Sequence, residues 1–160
     1  MLLKTLIKNL PIEKKRIKVR GLATNSKKVK KDYIFFAIKG YTSNGEKFIN
    51  EAVNRGASVI ICSKNCKYKN ESIVVLKTSD IRYSLSEISS KYYKLKPKNI
   101  IAVTRTNGKT SVADLYFQIL KYNKIPVASI GTLGIKLREK IIKSNLTSPD
   151  TILLLSLIHI

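Results

Sequence analysis

A chain of 160 residues has room for one ordinary domain or two small ones. With 44% apolar and 26% charged residues it holds enough apolar surface to offset the entropy of chain ordering, which excludes a disordered chain. The formal charge of +21 comes from 31 Lys+Arg against 10 Asp+Glu and raises nucleic acid or an anionic membrane as partners; however, the lysines are scattered over almost every element, clustering only briefly at Lys27-Lys28 and Lys30-Lys31, so they read as solvated faces and neither partner is expected.

The first residues, Met1-Leu2-Leu3-Lys4-Thr5-Leu6-Ile7, are apolar in part, but Lys4 and Lys8 interrupt them and no small-residue cleavage site follows. No run of ~18 apolar residues could cross a bilayer, so a cytoplasmic location is the expectation. From Ile34 to Ile38 an apolar stretch has the length and β-forming content of a buried strand, closed by Gly40 and a turn through Thr42-Ser43-Asn44-Gly45. Glu46 to Arg55 sets Phe48, Ile49, Ala52 and Val53 on one helical face, Gly56 stops it, and Val59-Ile60-Ile61-Cys62 resumes as a strand. Cys62 and Cys66 are the only cysteines, without the partners of a zinc site, and are expected as reduced thiols. A further strand is predicted at Ile73-Val74-Val75-Leu76. Asp80 then caps a helix whose apolar positions Ile81, Leu85, Ile88, Tyr92 and Leu95 recur at helical spacing and which ends before Pro97.

Around Lys96-Pro97-Lys98 the pattern restarts, which divides the chain into residues 1–96 and 97–160. The second part opens with an apolar run, Ile100-Ile101-Ala102-Val103, expected as a buried strand. A helix follows from about Lys109 to Tyr122, and then a strand at Val127-Ala128-Ser129-Ile130. Alternating strands and helices predict α/β layers, and no internal repeat points to a solenoid.

Between the run at 100–103 and the helix lies Thr104-Arg105-Thr106-Asn107-Gly108-Lys109-Thr110. Gly-Lys-Thr alone is a common accident, and its plain reading is a βα turn. A strand before it and a helix after it favour a phosphate loop: backbone amides at the helix start converge on phosphate oxygens, the lysine adds a full charge, and the threonine hydroxyl can ligate Mg²⁺.

This loop resembles that of the Mur ligase family, which reads Thr-Gly-Thr-Asn-Gly-Lys-Thr. Upstream, Asn25-Ser26-Lys27-Lys28-Val29 and Asp32-Tyr33-Ile34-Phe35-Phe36-Ala37-Ile38-Lys39-Gly40 look like the family's Asp-Ser-Arg-x-Val and Gly-Asp-x-Phe-x-Ala-x-x-Gly signatures, with Asn25 and Lys27 replacing Asp and Arg. Downstream, Gly131-Thr132-Leu133-Gly134 and Thr147-Ser148-Pro149-Asp150 resemble a pattern of the branch that adds the third amino acid, the UDP-N-acetylmuramoyl-tripeptide synthetases (MurE type). The resemblance covers roughly residues 20 to 151.

It implies a small N-terminal α/β UDP-binding domain followed by the truncated start of a P-loop, parallel-sheet ATPase domain. It further implies an ATP-dependent amide ligase of peptidoglycan precursor synthesis, acting as a monomer on UDP-N-acetylmuramoyl-L-alanyl-D-glutamate and a third amino acid, diaminopimelate or lysine. In that resemblance Thr104, Arg105, Thr106, Asn107, Gly108, Lys109 and Thr110 surround ATP, Lys109 and Thr110 serve the chemistry, and Thr110 holds Mg²⁺. Thr24, Ser26, Tyr41, Thr42, Ser43, Asn107, Thr147 and Ser148 contact the UDP-muramoyl dipeptide; taken singly, the five from Thr24 to Ser43 are ordinary surface hydroxyls, and Thr147-Ser148-Pro149-Asp150 reads plainly as a turn and helix N-cap.

Two departures matter. Arg105 stands where the family has its first loop glycine, and a bulky side chain there is expected to impair ATP binding. After Asp150 the chain is almost wholly apolar, Thr151 to Ile160, where the family leads one to expect an amphipathic helix. A truncated or read-through end, and a chain inactive as a ligase, are the corresponding expectations. His159 is the only histidine and lacks the companions of a metal or catalytic site. The competing classes are another P-loop nucleotide-binding protein, which predicts no selective UDP-sugar binding, and a basic nucleic-acid-binding module, which predicts tight binding with a steep salt slope.

Overall fold

The computed structural model describes residues 1–8, 10–40, 43–104, 106–142 and 151–157. They fall into two compact units, Met1–Lys94 and Leu95–Ile160.

The first unit is built on a parallel sheet. After a one-turn helix α1 (Leu3–Leu6) and a 3₁₀ turn at Ile12–Arg16, the chain enters strand β1 (Gly21–Ala23), then β2 (Tyr33–Phe36), helix α2 (Ile49–Asn54), strands β3 (Ala57–Ser63) and β4 (Val74–Thr78), and helix α3 (Ile81–Tyr92). The strands lie in the order β1-β2-β3-β4, every neighbouring pair parallel. In register, Phe35 stands between Ala23 and Ile60, and Ile34 between Leu22 and Val59. Side chains alternate across a strand, so the sheet has two apolar faces. Phe35, Ala37, Ile60 and Cys62 join Ile49 and Ala52 of α2 in one core cluster. Ile34, Phe36, Val59 and Ile61, all buried, face the opposite way; Leu3 and Leu6 of α1 and Leu85 and Ile88 of α3 are buried as well. A sheet covered on both faces explains why β2 and β3 read as unbroken apolar runs.

The helices start and stop for local reasons. Asp80 Oδ1 accepts from the Tyr83 amide at 2.9 Å and caps α3, as the sequence predicts. The predicted helix over 46–55 divides: Gly45–Phe48 is a 3₁₀ turn whose first free amide, Glu46, is taken by Asn44 Oδ1 at 3.1 Å, and only Ile49–Asn54 is α-helical. Cys62 and Cys66 are buried free thiols, and burial, with the neighbouring Cys66 thiol, pushes Cys62 far above the usual cysteine range.

In the second unit, helix α4 (Lys109–Tyr122) spans the predicted residues. The strands differ from expectation. Residues 100–103 carry no ladder, and Ile100 and Ile101 are 84% and 59% exposed. An isolated apolar tetrapeptide gains its strand hydrogen bonds only from a neighbour, and none of the described residues supplies one. The strand predicted at 127–130 is confined to β5 (Ser129–Gly131). It continues through a two-residue turn into β6 (Gly134–Lys136) and then β7 (Ile141–Ile142), an antiparallel sheet where parallel strands were expected. Asp114 of α4 pairs with Lys136 of β6, which holds its carboxyl below the ordinary aspartate range. The chain's last described helix is α5 (Thr151–Ser156).

The units differ in how well they bury their apolar residues. In the second, Val112, Leu115, Tyr116, Ile119 and Tyr122 of α4 are all exposed, whereas Phe117, Ile135 and Leu157 are the buried apolar residues among those described. A segment with few buried contacts opens at low free-energy cost. Limited proteolysis is therefore expected to degrade residues 95–160 first and leave a fragment near Met1–Lys94. Cleavage that begins within β2 or β3 would contradict it.

Candidate functional site

Parallel strands deliver their loops to one edge. Thr24, Asn25 and Ser26 leave the carboxyl end of β1 and residues 37–40 leave that of β2, the edge at which open α/β sheets bind ligands. The β1 loop is held locally: Asn25 Oδ1 accepts from the Lys27 amide at 2.9 Å, and a 3₁₀ turn over Ser26–Lys28 closes with Val29 N donating to Ser26 O at 3.1 Å. Ser26 is nearly buried, and its hydroxyl donates to Glu51 Oε2 on α2 at 2.7 Å. Arg55 Nε donates to the other oxygen, Oε1, at 3.1 Å. The Ser26 bond, then Arg55 and the nearby Lys27 charge, lower the Glu51 pKa, so the carboxylate is ionised at neutral pH.

The β2 loop folds back on itself. Lys39 and Asn44 form an antiparallel bridge, Gly40 N donates to Ser43 O at 2.9 Å, and Gly45 N donates to Ile38 O at 3.0 Å. Glycine is required at 45 because a Cβ there would lie 2.6 Å from Ile38 O and 2.7 Å from Ile38 N, and backbone cannot give way. At the end of β3, Ser63 donates through its amide and hydroxyl to Glu46 Oε1, tying the loop after β2 to the third strand. Thr24, Ser26 and Ser43 are thus placed on loops at one sheet edge, and Tyr41 and Thr42 lie outside the described residues.

In the second unit, Gly108 adopts φ +78°, a left-handed conformation that turns the chain directly into α4. Nothing lies within 4 Å of where its Cβ would be, so the approach is open and the glycine serves backbone conformation. The first helical hydrogen bond is Val112 N to Gly108 O at 3.0 Å. The amides at 109–111 therefore precede the helical ladder and, with the helix dipole, form a positive end of the kind that holds phosphate. Lys109 Nζ folds back to donate to Thr106 O at 3.1 Å. Thr104, Thr106, Asn107, Gly108, Lys109 and Thr110 are all exposed around this turn. Arg105, Thr147, Ser148 and His159 lie outside the described residues. The described residues contain no group of three or more His, Cys, Asp or Glu able to hold a metal. A metal here would rely on the Thr110 hydroxyl and on phosphate oxygens.

A four-stranded parallel sheet with a loop cluster at one edge in the first unit, and in the second a polar turn that enters a helix through a left-handed glycine, are the features of an α/β protein. The chain belongs to the Mur ligase family: residues 18–97, half of its length, match the model described as the Mur ligase family, catalytic domain. That match covers the parallel-sheet unit and stops before the Gly108-Lys109-Thr110 turn. Over 125 residues the chain is 42% identical to the UDP-N-acetylmuramoyl-L-alanyl-D-glutamate–2,6-diaminopimelate ligase of Rickettsia prowazekii, covering 77% of this chain and 25% of that protein. It is 39% identical over 138 residues to the ligase of the same name from Aquifex aeolicus, covering 84% and 28%.

Among solved structures, a UDP-N-acetylmuramoyl-L-alanyl-D-glutamate–2,6-diaminopimelate ligase shares the fold over 99% of this chain and 33% of its own, with a TM-score of 0.73 and 24% identity. The MurF ligase from Thermotoga maritima in complex with ADP matches 65% of this chain and 24% of its own, with a TM-score of 0.53 and 26% identity. The chain thus spans about a quarter to a third of the length of these relatives. Among the described residues no helix is long and apolar enough to cross a membrane.

The sequence alone missed Glu51. Its i,i+4 spacing to Arg55 is visible in the sequence, but its bond to Ser26 crosses 25 positions and two elements.

Proposed function

We propose that this chain carries the substrate-binding unit and the phosphate loop of an ATP-dependent amide ligase of peptidoglycan precursor synthesis. That ligase adds diaminopimelate as the third amino acid to UDP-N-acetylmuramoyl-L-alanyl-D-glutamate. Residues 1–96 take the UDP-muramoyl dipeptide through Thr24, Ser26, Tyr41, Thr42 and Ser43, and residues 97–160 begin the ATP-binding domain. The observation that carries this is the turn at Gly108, which opens α4 with its leading amides and Lys109 and Thr110 at one exposed helix end. The names of the relatives support the substrate, and the ADP in the MurF relative supports the nucleotide.

In such a reaction the γ-phosphoryl group passes to the substrate carboxylate and the incoming amine displaces phosphate from the acyl phosphate. Catalysis is then mostly in-line positioning and neutralisation of charge. Lys109 meets the phosphates once it releases Thr106 O. The Thr110 hydroxyl is the side chain here that would hold Mg²⁺, which when bound would supply neutralisation of phosphate charge.

Calorimetric titration of the purified chain tests both halves. UDP-N-acetylmuramoyl-L-alanyl-D-glutamate is expected to bind, and ADP with Mg²⁺ to bind weakly, with Arg105→Gly raising ADP affinity. Failure of the UDP compound to bind overturns the substrate assignment. Equal ADP affinity with and without Arg105→Gly removes the case for an impaired loop.

A further inference from the structure

Ser26 is expected to touch the nucleotide, but a hydroxyl has only one proton to donate. In this structure that proton is committed. Ser26 Oγ lies 2.7 Å from Glu51 Oε2, and the ionised carboxylate has nothing to give, so the hydroxyl must be the donor. Glu51 is itself held in place: Arg55 Nε donates to Oε1 at 3.1 Å, and the residue sits in the first turn of α2. Ser26 is anchored from its own side by the 3₁₀ turn and is only 5% exposed, so it cannot swing freely to a second rotamer. What Ser26 offers a ligand is its remaining lone pairs.

Resting on the assignment of residues 1–96 as the UDP-substrate unit, we propose that Glu51 is a positioning residue that makes Ser26 a pure hydrogen-bond acceptor. Ser26 then reads a donor group on the nucleoside and does not grip the diphosphate. Phosphate oxygens at neutral pH are acceptors and would face lone pairs here, beside a carboxylate. The donors a uridine nucleotide carries are the imide N–H of the base and the ribose hydroxyls. Both present the same chemistry to Ser26.

The test uses the whole chain and three probes: UDP, UDP methylated at the base imide, and 2′,3′-dideoxy-UDP, which lacks both ribose hydroxyls. Against the wild-type chain one of the two analogues is expected to bind roughly tenfold more weakly than UDP, as for one lost hydrogen bond, and which one identifies the donor. Glu51→Ala frees the Ser26 proton, so the ratio between UDP and that analogue should fall toward one. Glu51→Gln in an Arg55→Ala background, where the single amide oxygen is free to accept the same proton, should keep it. A purely structural Glu51 would weaken all three ligands together and leave the ratio unchanged, which overturns the inference. So does equal binding of all three probes by the wild-type chain, an outcome that leaves the nucleotide site itself standing. No UDP binding at all overturns both.

Discussion

Replacing Phe35 with alanine is expected to cost the first unit about 3–5 kcal/mol, the range for removing a buried aromatic ring from a packed core. Phe35 is 1% exposed and stands in the second of four strands, flanked in register by Ala23 and Ile60 and packed in the cluster that holds Ile49 and Ala52 of α2. Small neighbours such as Ala23, Ala37 and Ala52 cannot expand into the space, and the ladders on both sides keep the backbone from collapsing into it. A domain of this size has about 5–15 kcal/mol in total, so the loss takes a large share. The melting temperature should fall by roughly 12–40 °C, read by circular dichroism. Ile12→Ala, at a residue 81% exposed, is the control and should change stability by no more than about 0.5 kcal/mol. A fall below about 5 °C for Phe35→Ala would mean that the core refills the cavity.

Lys109→Ala is expected to weaken ADP binding roughly 10- to 150-fold, the equivalent of about 1.5–3 kcal/mol for a hydrogen bond to a charged group. The proposed function places the lysine ammonium and the amides at 109–111 on the phosphates. Removing the side chain leaves the helix end intact, because α4 begins from the left-handed Gly108 and the Val112 to Gly108 bond. Binding of adenosine, which has no phosphate, should be unaffected by the substitution. If Lys109→Ala left ADP affinity unchanged, the turn would be an ordinary connection into a helix. Measurements belong in an Arg105→Gly background as well, since Arg105 is expected to impair the site on its own account.

How much could be read from the sequence depended on how local each feature is. The start of α4 followed from the Gly108-Lys109-Thr110 turn, and the start of α3 from Asp80. Strands β2 and β3 were visible because both of their faces are buried. The same apolar signature at residues 100–103 gave a strand that does not form, because a ladder depends on a neighbour far away in the chain. Strand β1 escaped notice: Gly21-Leu22-Ala23 is too short for any period to show. The hairpin joining β5 to β6 lay within a motif, Gly131-Thr132-Leu133-Gly134, that was read for its resemblance and not for its turn. In the site, hydroxyls and the Gly-Lys-Thr turn could be named from the sequence. The commitment of the Ser26 proton to Glu51 could not, since two side chains 25 residues apart meet only once the sheet has formed.

The sheltered thiols give the folded state its own clock. Cys62 lies at the centre of the sheet with its proton held tightly by an apolar environment, and only the thiolate reacts with an alkylating reagent. Iodoacetamide should therefore modify Cys62 only in molecules whose sheet has come apart, and the labelling rate under native conditions reports how often that happens.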